Sequence, residues 1–363
     1  MRSSVFIGKY LQGKDALNLL EQESKLYGQR PFLIMDSFVK QVLGQKLIAQ
    51  FNTNVSTAIF GGECCDPEIN RLSQAAKDHD VIIGVGGGKT LDTAKIVAHR
   101  IAANCIIVPT LASTDAPCSS LAVVYTPEGA FLRYEYFPKN PDVILVDSTI
   151  IAQAPVRFLV AGMGDALSTW FEAQSCAQKN APNRSGYPAT LSGMALAKLC
   201  YETVMTYGVL AKFACEQKVV TPALEHLIEA NIFLSGAGFE NGGLAAAHAI
   251  HDGLTVLEPT HAYYHGEKVA FSTLASLFLT GKDGVTIKTM YAFYRQVGLP
   301  TTLADLGLGN VSREDLLRAA QAACIPEETI HNEPIPVDPD IVLAALLTAD
   351  EAGRADYGQN QIL

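Results

Sequence analysis

The sequence lacks long apolar runs and an excess of basic residues. None of its hydrophobic stretches approaches the ~18 residues that a membrane-spanning helix needs, and the segment from Met1 to Lys9 breaks too early for the ~7–15-residue apolar core of a signal peptide. Lys and Arg total 27 against 37 Asp and Glu, which gives a formal charge of −10. This balance argues against nucleic-acid and anionic-membrane partners, although backbone amides can still bind a small anionic cofactor.

Cysteines at CxxC spacing are also missing. The eight cysteines are scattered along the chain, mostly in apolar surroundings. Without an export signal, this distribution predicts reduced thiols and a cytoplasmic location. Hydrophobic residues make up 48% and charged residues 18% of the 363 positions, which favours a folded chain of two domains over disorder.

Short apolar runs rich in Val and Ile recur through the first 150 or so residues, separated by stretches with helical spacing. This alternation predicts a mainly parallel β-sheet covered by helices. Asp66-Pro67-Glu68 is expected to open one of these helices, with Asp66 as its cap. The predicted strands are 32–35, 55–60, 81–85, 105–108, 121–125 and 143–146.

After Asp147 the strand-like runs largely disappear, and apolar residues recur at three- and four-residue spacing. Helices are predicted at about 154–178, 189–214, 222–239, 241–256, 265–281, 284–297, 313–324 and 339–352. The expected fold class is therefore α/β. A mainly parallel-sheet domain over residues 1–153 precedes an all-helical domain over residues 154–363.

The segment 81–92 runs from an apolar strand through three glycines, Gly86 to Gly88, into a helical pattern. Glycines let the backbone approach a phosphate, and the following helix offers free N–H groups and a positive dipole end. Neither the P-loop nor the GxGxxG pattern fits, because Ile83 and Lys89 occupy positions that need glycine. A purely structural turn does not require three glycines followed by Lys89 and Thr90, so phosphate binding is the favoured interpretation.

Two further segments are expected to border the same crevice. Residues 108–117 place hydroxyls and a carboxylate directly after a strand, and Asp36 ends the first apolar run. Ligands of open α/β sheets bind beyond the carboxyl ends of the strands. Asp36 is expected either to accept hydrogen bonds from a ribose, favouring NAD over its 2′-phosphorylated form, or simply to cap a helix. The 108–117 segment could likewise be a turn with a helix cap.

Four of the eight histidines, His248, His251, His261 and His265, lie close together in the sequence. His248 and His251 are three residues apart on a predicted helix and share a face. Neutral imidazole is the commonest protein ligand of zinc, and a catalytic zinc has three protein ligands and one open position. Asp165, a lone acid in an apolar stretch, is a candidate third ligand. For any single histidine a structural role is the alternative.

Blocks of residues along nearly the whole chain carry a family resemblance. They are residues 8–10, 60–64, 86–92, 94–95, 109–117, 164–170, 242–251 and 264–271. In the content and order of these blocks the chain resembles the glycerol dehydrogenases of the iron-containing (group III) alcohol dehydrogenase superfamily. The resemblance implies an N-terminal dinucleotide-binding α/β domain, a C-terminal helical domain and a cleft between them.

The resemblance also implies NAD and zinc as cofactors. The zinc ligands of the family fall on Asp165, His248 and His265, and its substrate-side acid falls on Asp115. Thr169 stands where iron-dependent relatives carry a fourth, histidine ligand, which suits zinc with an open position. The implied nucleotide contacts fall on Asp36, Gly87, Gly88, Lys89, Thr90, Leu91, Asp92, Thr110, Ser113, Ser119, Leu121 and Tyr125.

The predicted function is reversible, NAD- and zinc-dependent oxidation of a small vicinal diol, with glycerol to dihydroxyacetone as the favoured case. Asp115 is expected to hydrogen-bond a substrate hydroxyl. His251, one turn beyond His248, is the candidate for relaying the proton to solvent. The resemblance implies a homo-oligomer, commonly an octamer.

Three alternatives remain at this stage. Asp252 and Ala262 stand where related members carry Asn and a second His, so 1,2-propanediol or another diol or hydroxy-ketone is the runner-up substrate. A phosphorylated substrate is disfavoured, because no cluster of Lys or Arg flanks the three ligand positions. A nucleotide-binding regulator without catalysis is disfavoured by the intact Asp-His-His set.

Overall fold

The computed structural model describes residues 1–52 and 55–357. The strands are β1 Lys9–Gly13, β2 Pro31–Met35, β3 Ser56–Ile59, β4 Val81–Gly86, β5 Asn104–Pro109, β6 Leu121–Tyr125, β7 Phe131–Tyr136 and β8 Val143–Asp147. The α-helices are α1 Leu20–Lys25, α2 Ser37–Ala49, α3 Asp66–Ala76, α4 Gly88–Arg100, α5 Ser148–Gln153, α6 Val156–Lys179, α7 Leu191–Glu216, α8 Pro222–Glu229, α9 Ser235–Gly242, α10 Ala246–Leu254, α11 His265–Leu279, α12 Gly284–Val297, α13 Arg313–Ala323 and α14 Pro339–Arg354.

Six strands form one parallel sheet in the order β1-β8-β5-β4-β2-β3. Strand β4 lies between β2 and β5, where the chain order reverses. Met35 pairs with Val85, and Gly86 pairs with Pro109, so the carboxyl ends of these three strands lie at one edge. Such a reversal point is where open α/β sheets bind ligands.

The sheet is buried on both faces, as its Val- and Ile-rich strands require. Side chains such as Leu33 and Ile83 pack on one face, against the first helices of the chain. Alternate side chains such as Ile34 and Ile82 belong to a second cluster, which continues into the helical half as far as Phe271. This continuous core gives the edge of the sheet a fixed position relative to the helices that follow.

The predicted fold class is confirmed: a mainly parallel sheet is followed by a helical half. All six predicted strands are present, but β6 is only half-buried and pairs with β7 in a separate antiparallel hairpin. Strands β1 and β7 were not predicted, because neither contains an apolar run. The domain boundary at residues 153 and 154 stays a prediction. Helix α5 and Pro155, which precedes α6, lie there.

Three local predictions need correction. Asp66 does not cap α3, whose cap position is Cys65. Both Asp66 oxygens instead accept hydrogen bonds from the Arg133 guanidinium, at 2.8 and 2.9 Å. A carboxylate binds more strongly to the two parallel N–H groups of a guanidinium than to a single backbone amide. The predicted helix at 222–239 is interrupted by a π-helical turn, Ala230–Leu234. The helix predicted from 241 begins only at Ala246.

Two observations bear on the environment of the chain. Among the helices that the structure describes, none combines the length and hydropathy that a membrane crossing needs. All eight cysteines carry free thiols, and seven of them are buried.

Candidate active site and metal centre

Asp165, His248 and His265 converge on one point in the helical half. The Nε2 atoms of His248 and His265 lie 3.5 and 3.3 Å from Asp165 Oδ1, and the three candidate ligand atoms lie within 4.8 Å of one another. The Asp165 side chain is 1% exposed and that of His265 is 38% exposed. The cluster is therefore shielded from solvent at Asp165 and open to solvent at His265.

Close contact between α6 and α11 brings Asp165 and His265 together. A Cβ atom on Gly164 would lie 2.3 Å from the carbonyl oxygen of Gly266, and one on Gly266 would lie 1.9 Å from that of Ala161. Only glycine fits at these two positions, so the helix backbones can touch there. His265 is the first residue of α11, which places its ring beside the Asp165 carboxylate.

Glu172 orients His248. This acid lies two turns after Asp165 on α6, and its Oε1 accepts hydrogen bonds from the backbone N–H groups of Ala245 and His248 at the start of α10. Its Oε2 lies 2.7 Å from His248 Nδ1. A carboxylate accepts, so Nδ1 carries the proton and Nε2 presents its lone pair toward Asp165 and His265.

His251 and Asp252 orient His265 in the same way. His251 Nε2 lies 3.1 Å from His265 Nδ1, and His251 Nδ1 lies 2.8 Å from Asp252 Oδ1. The carboxylate fixes the proton on Nδ1 of His251, so its Nε2 accepts from His265. The Nε2 atom of His265 is then also a lone-pair donor.

Opposing effects act on the ionisation of this cluster. Burial alone would raise the pKa of Asp165, but the adjacent rings of His265 and His248 lower that pKa well below its usual range. Burial, and then the charge of Asp165, raise the pKa of Asp115. Burial and the neighbouring His265 lower the pKa of His251 to about 3.

The cluster fits a metal ion. Asp165 Oδ1 is buried and has no hydrogen-bond partner, yet both Nε2 atoms face it. One carboxylate and two imidazoles, each imidazole held through its other nitrogen, form a donor set that suits zinc. Within the described ranges, these three residues form the one cluster of metal-ligating side chains with such spacing.

Asp115 lies beside this cluster on the β5–β6 loop, residues 110–120. Its backbone N–H donates to Asp165 Oδ2 at 3.3 Å, and its carboxylate Oδ2 accepts from the Ser235 hydroxyl at 2.7 Å. The loop begins where β5 ends, so it connects the carboxyl edge of the sheet with the three candidate ligands. Ser113 lies on the same loop and is half-buried.

The glycine turn between β4 and α4 fits a pyrophosphate. Helix α4 begins without a side-chain cap on its first N–H groups. Apart from the adjoining residues and the helix backbone, no atom of the described structure lies within 4 Å of the position that a Cβ would take on Gly88. A Cβ on Gly86 would lie 2.9 Å from the Thr90 side chain, so glycine is needed for the turn to close. Open space before free helical N–H groups is an anion site of the kind that binds NAD.

Asp36 and Thr110 flank this turn. The Thr110 N–H donates to the Gly86 carbonyl at 3.0 Å, and the Cβ position of Gly86 lies 2.9 Å from Asp36 Oδ2. Asp36 Oδ1 accepts from Val39 N–H at 2.7 Å and caps α2. Both interpretations of Asp36 therefore have support, because one oxygen caps the helix and the other faces the glycine turn.

The remaining predicted nucleotide contacts divide into two groups. Lys89 lies at the turn, where its ammonium pairs with Glu63 at 2.5 Å and lies over the Tyr125 ring. The other three side chains already have partners in the interior. Leu91 packs in the core, and Asp92 pairs with Lys95. The Ser119 hydroxyl lies 3.2 Å from the carbonyl oxygens of Ala116 and Leu121 and has one proton to share between them. Contacts from these residues to a nucleotide stay predictions.

Sequence reasoning missed Glu172, Ser235 and Glu63. Glu172 carries a usable signal, because it follows Asp165 by seven residues and so lies on the same helix face. Ser235 carries none, since its partner is distant in the sequence. Glu63 lies in the 60–64 block that carries the resemblance, but the resemblance assigns no role to it. His261, one of the four clustered histidines, lies apart, with its Nε2 2.8 Å from the Thr255 carbonyl oxygen.

Known proteins resemble this chain in sequence and in structure. The family model described as iron-containing alcohol dehydrogenase matches residues 8–148. A glycerol dehydrogenase of Thermotoga maritima is 58% identical over 97% of this chain and 98% of its own length, and one of Citrobacter freundii is 48% identical over 95% and 96%. The crystal structure of a glycerol dehydrogenase from Schizosaccharomyces pombe has a TM-score of 0.95 at 38% identity, covering all of this chain and 94% of that one.

Proposed function

The chain belongs to the iron-containing alcohol dehydrogenase family, as its sequence predicts, and we propose that it catalyses the reversible, NAD-linked oxidation of glycerol to dihydroxyacetone with a bound zinc ion. The observation that carries this proposal is the convergence of Asp165, His248 and His265 beside the β5–β6 loop. The high identity to glycerol dehydrogenases over nearly the full length supports glycerol as the substrate.

Asp165, His248 and His265 would hold the zinc ion through Oδ1 and the two Nε2 atoms. When bound, zinc is a Lewis acid that favours the ionised form of an alcohol. Glu172 and His251 keep both imidazoles in the tautomer that a metal ligand needs. The exposed side of His265 leaves room for a substrate oxygen to approach.

The turn from β4 to α4 would bind the pyrophosphate of NAD through the N–H groups of Gly88 and its successors. When bound, NAD supplies the nicotinamide that accepts the hydride. Asp36, Thr110, Ser113, Lys89 and Tyr125 border this turn or the loop that follows β5. The Asp36 carboxylate would accept hydrogen bonds from a ribose and repel a 2′-phosphate.

Asp115 would hydrogen-bond a hydroxyl of the substrate and orient the diol. The role of His251 as a proton relay stays a prediction. The contacts of His251 favour a positioning role, because Nδ1 is bonded to Asp252 and Nε2 to His265.

We further propose that the protein is a cytoplasmic homo-oligomer whose chain has two domains. The family resemblance supports a homo-oligomer, an octamer in the commonest case. Free thiols on all eight cysteines support a cytoplasmic location. Helix α5 and Pro155 support a division into residues 1–153 and 154–363.

A rate survey tests the proposed reaction. The purified, zinc-loaded protein is assayed with NAD on glycerol, 1,2-propanediol and glycerol 1-phosphate. We expect NAD reduction with both diols, the higher kcat/KM with glycerol, and little or none with the phosphate ester. A higher kcat/KM for 1,2-propanediol would replace glycerol as the main substrate, and no turnover with any diol despite NAD binding would support the regulator alternative.

A further inference from the structure

Among the residues of the helical half that hold the β5–β6 loop are two buried polar side chains, Asn231 and Ser235; Glu240 also accepts hydrogen bonds from the N–H and the hydroxyl of Ser120. Asn231 Nδ2 donates to the carbonyl oxygens of Ala112 and Leu159, each at 3.0 Å. Ser235 donates to Asp115 Oδ2 at 2.7 Å. Both anchors come from the π-helical turn and the first residue of α9, and both are fully buried. A π-turn inserts an extra residue into a helix and re-aims the side chains around it.

A third residue extends the second anchor. Thr169 Oγ1 lies 3.2 Å from Ser235 Oγ, and the Thr169 side chain is buried. A hydroxyl has one proton to donate, whereas an ionised carboxylate has none. With Asp115 ionised, Ser235 donates to Asp115 and accepts from Thr169. The three side chains form a directed chain of hydrogen bonds from α6 to the β5–β6 loop.

This series of hydrogen bonds begins and ends beside the candidate metal site. Thr169 lies one helical turn after Asp165 on α6, and the N–H of Asp115 donates to Asp165 Oδ2. Helix α6 thus positions the candidate metal ligand and, through two hydroxyls, the candidate substrate-side acid. Within the described part of the chain, Ser235 is the one side chain that hydrogen-bonds the Asp115 carboxylate, which leaves Oδ1 for a ligand.

We propose that Thr169 and Ser235 are positioning residues that fix the Asp115 carboxylate and thereby set the preference for vicinal diols over mono-alcohols. This inference rests on the proposed function, in which Asp115 contacts the substrate. A mono-alcohol has only the hydroxyl that is oxidised, whereas a diol has a second one that can donate to Asp115. A site built to bond a substrate hydroxyl discriminates strongly against an analogue without it.

Two variants remove one hydroxyl each. Thr169→Val keeps the side-chain shape, and Ser235→Ala removes the central hydroxyl. The substrates are 1,2-propanediol and 2-propanol, which share a carbon skeleton and a secondary alcohol. We expect kcat/KM for 1,2-propanediol to fall about tenfold in Ser235→Ala and about threefold in Thr169→Val, chiefly through KM, while kcat/KM for 2-propanol changes less than about twofold. Thr169→Ser keeps the hydroxyl that Thr169→Val removes, so it should keep the diol preference of the wild type.

Matched controls lie on α11. Thr273 and Ser276 are buried, and their hydroxyls donate to carbonyls of their own helix, at 2.8 and 2.7 Å. Thr273→Val and Ser276→Ala should leave the ratio of diol to mono-alcohol rates unchanged. If Ser235→Ala does not fold, Thr169→Val and Thr169→Ser decide the question alone.

The inference is overturned if the wild-type protein oxidises diols but Thr169→Val keeps the wild-type KM for 1,2-propanediol and the wild-type rate ratio. It is also overturned if Thr273→Val shifts KM and the ratio as much as Thr169→Val does. A wild-type protein that oxidises no diol would instead refute the proposed function itself, so the two failures are distinguishable.

Discussion

Glu172 joins the start of α10 to one imidazole through a single carboxylate. In Glu172→Gln, the carboxamide oxygen can still accept from the backbone N–H groups, but its NH₂ group then faces the Nδ1 proton of His248. Two donors repel each other, so the ring loses its orientation. We expect zinc affinity to fall by ~10–100-fold, measured by competition with a chelator.

Glu333 provides the control for this prediction. Its Oε1 accepts from the N–H of Ala246, also at the start of α10, and this buried carboxylate has no hydrogen bond to a histidine among the described residues. Glu333→Gln should therefore change zinc affinity far less than Glu172→Gln. Equal effects would show that any change at this helix start disturbs the site, and that Glu172 does not orient His248.

Asp36 carries a second prediction at the residue scale. Asp36→Asn removes the charge that faces the glycine turn but keeps an oxygen that can cap α2, since Asn caps as well as Asp. We expect the ratio of kcat/KM with NAD to that with NADP to fall by about tenfold, because a 2′-phosphate is no longer repelled. Steady-state kinetics with both cofactors measure this ratio.

The same variant separates the two roles of Asp36. Because the cap is kept, thermal stability should stay close to that of the wild type. An unchanged cofactor ratio would mean that Asp36 serves α2 alone.

The residues of the site differ in how far the sequence reveals them. The family resemblance predicts Asp165, His248 and His265 as a ligand set, and the structure brings these three side chains together. Ser235 could not be found in this way, because its hydrogen bond to Asp115 joins residues 120 positions apart. Such a contact depends on where α9 packs, and no local pattern records it.

At the scale of elements, helix α6 carries several of the polar residues at the candidate metal site. Asp165, Thr169 and Glu172 follow one another at spacings of four and three residues, so they share one face of the helix. Gly164, on the same helix, allows contact with α11. One short segment of α6 thus contains both the polar groups and the glycine that lets α11 pack closely.

Gly164→Ala tests this arrangement. The added methyl would lie 2.3 Å from the Gly266 carbonyl oxygen. This oxygen belongs to the helix backbone, so it cannot move aside as a flexible side chain would. We expect α11 to shift, the free energy of unfolding to fall by ~2 kcal/mol or more, and zinc affinity to drop. Urea unfolding and chelator competition measure the two effects.

Gly44, inside α2, is the matched control. The three atoms nearest to a Cβ there all belong to the flexible Lys40 side chain. Because alanine is the better helix former, Gly44→Ala should raise stability by ~0.5–1 kcal/mol and leave zinc affinity unchanged. A Gly164→Ala protein with wild-type stability and zinc affinity would contradict the close-contact account.

Elements were predictable where burial dictates composition. The Val- and Ile-rich strands β4 and β8 are buried along their whole length, so their apolar runs identify them. Strand β1 is half-buried, and β7 alternates exposed and half-buried residues, so neither has such a run. The π-turn leaves no compositional signal, because it is a change of hydrogen-bond register.

At the scale of the whole molecule, a chain with a charge of −10 is expected to bind an anionic cofactor. The structure offers backbone amides at the start of α4 for this purpose, in place of a basic surface. The negative charge is partly concentrated near the candidate metal site, where Asp115, Asp165 and Glu172 lie. A cation bound there would offset that charge.

The relative position of the two halves could not be predicted from the sequence. It depends on distant contacts, such as Asn231 with the Ala112 carbonyl and Gln12 with Glu225. The N-terminal residues also cross to the helical half, where Asn241 bonds both the N–H and the carbonyl of Val5. Periodicity predicts each half alone, whereas these contacts set how they meet.

The central claim is that one zinc ion, held by Asp165, His248 and His265, is required for turnover. Titration of zinc into the metal-free protein, while NAD-linked glycerol oxidation is followed, tests this claim most directly. The account predicts no activity at the start and a linear rise that levels off at one zinc per chain. Full activity before zinc is added would contradict it.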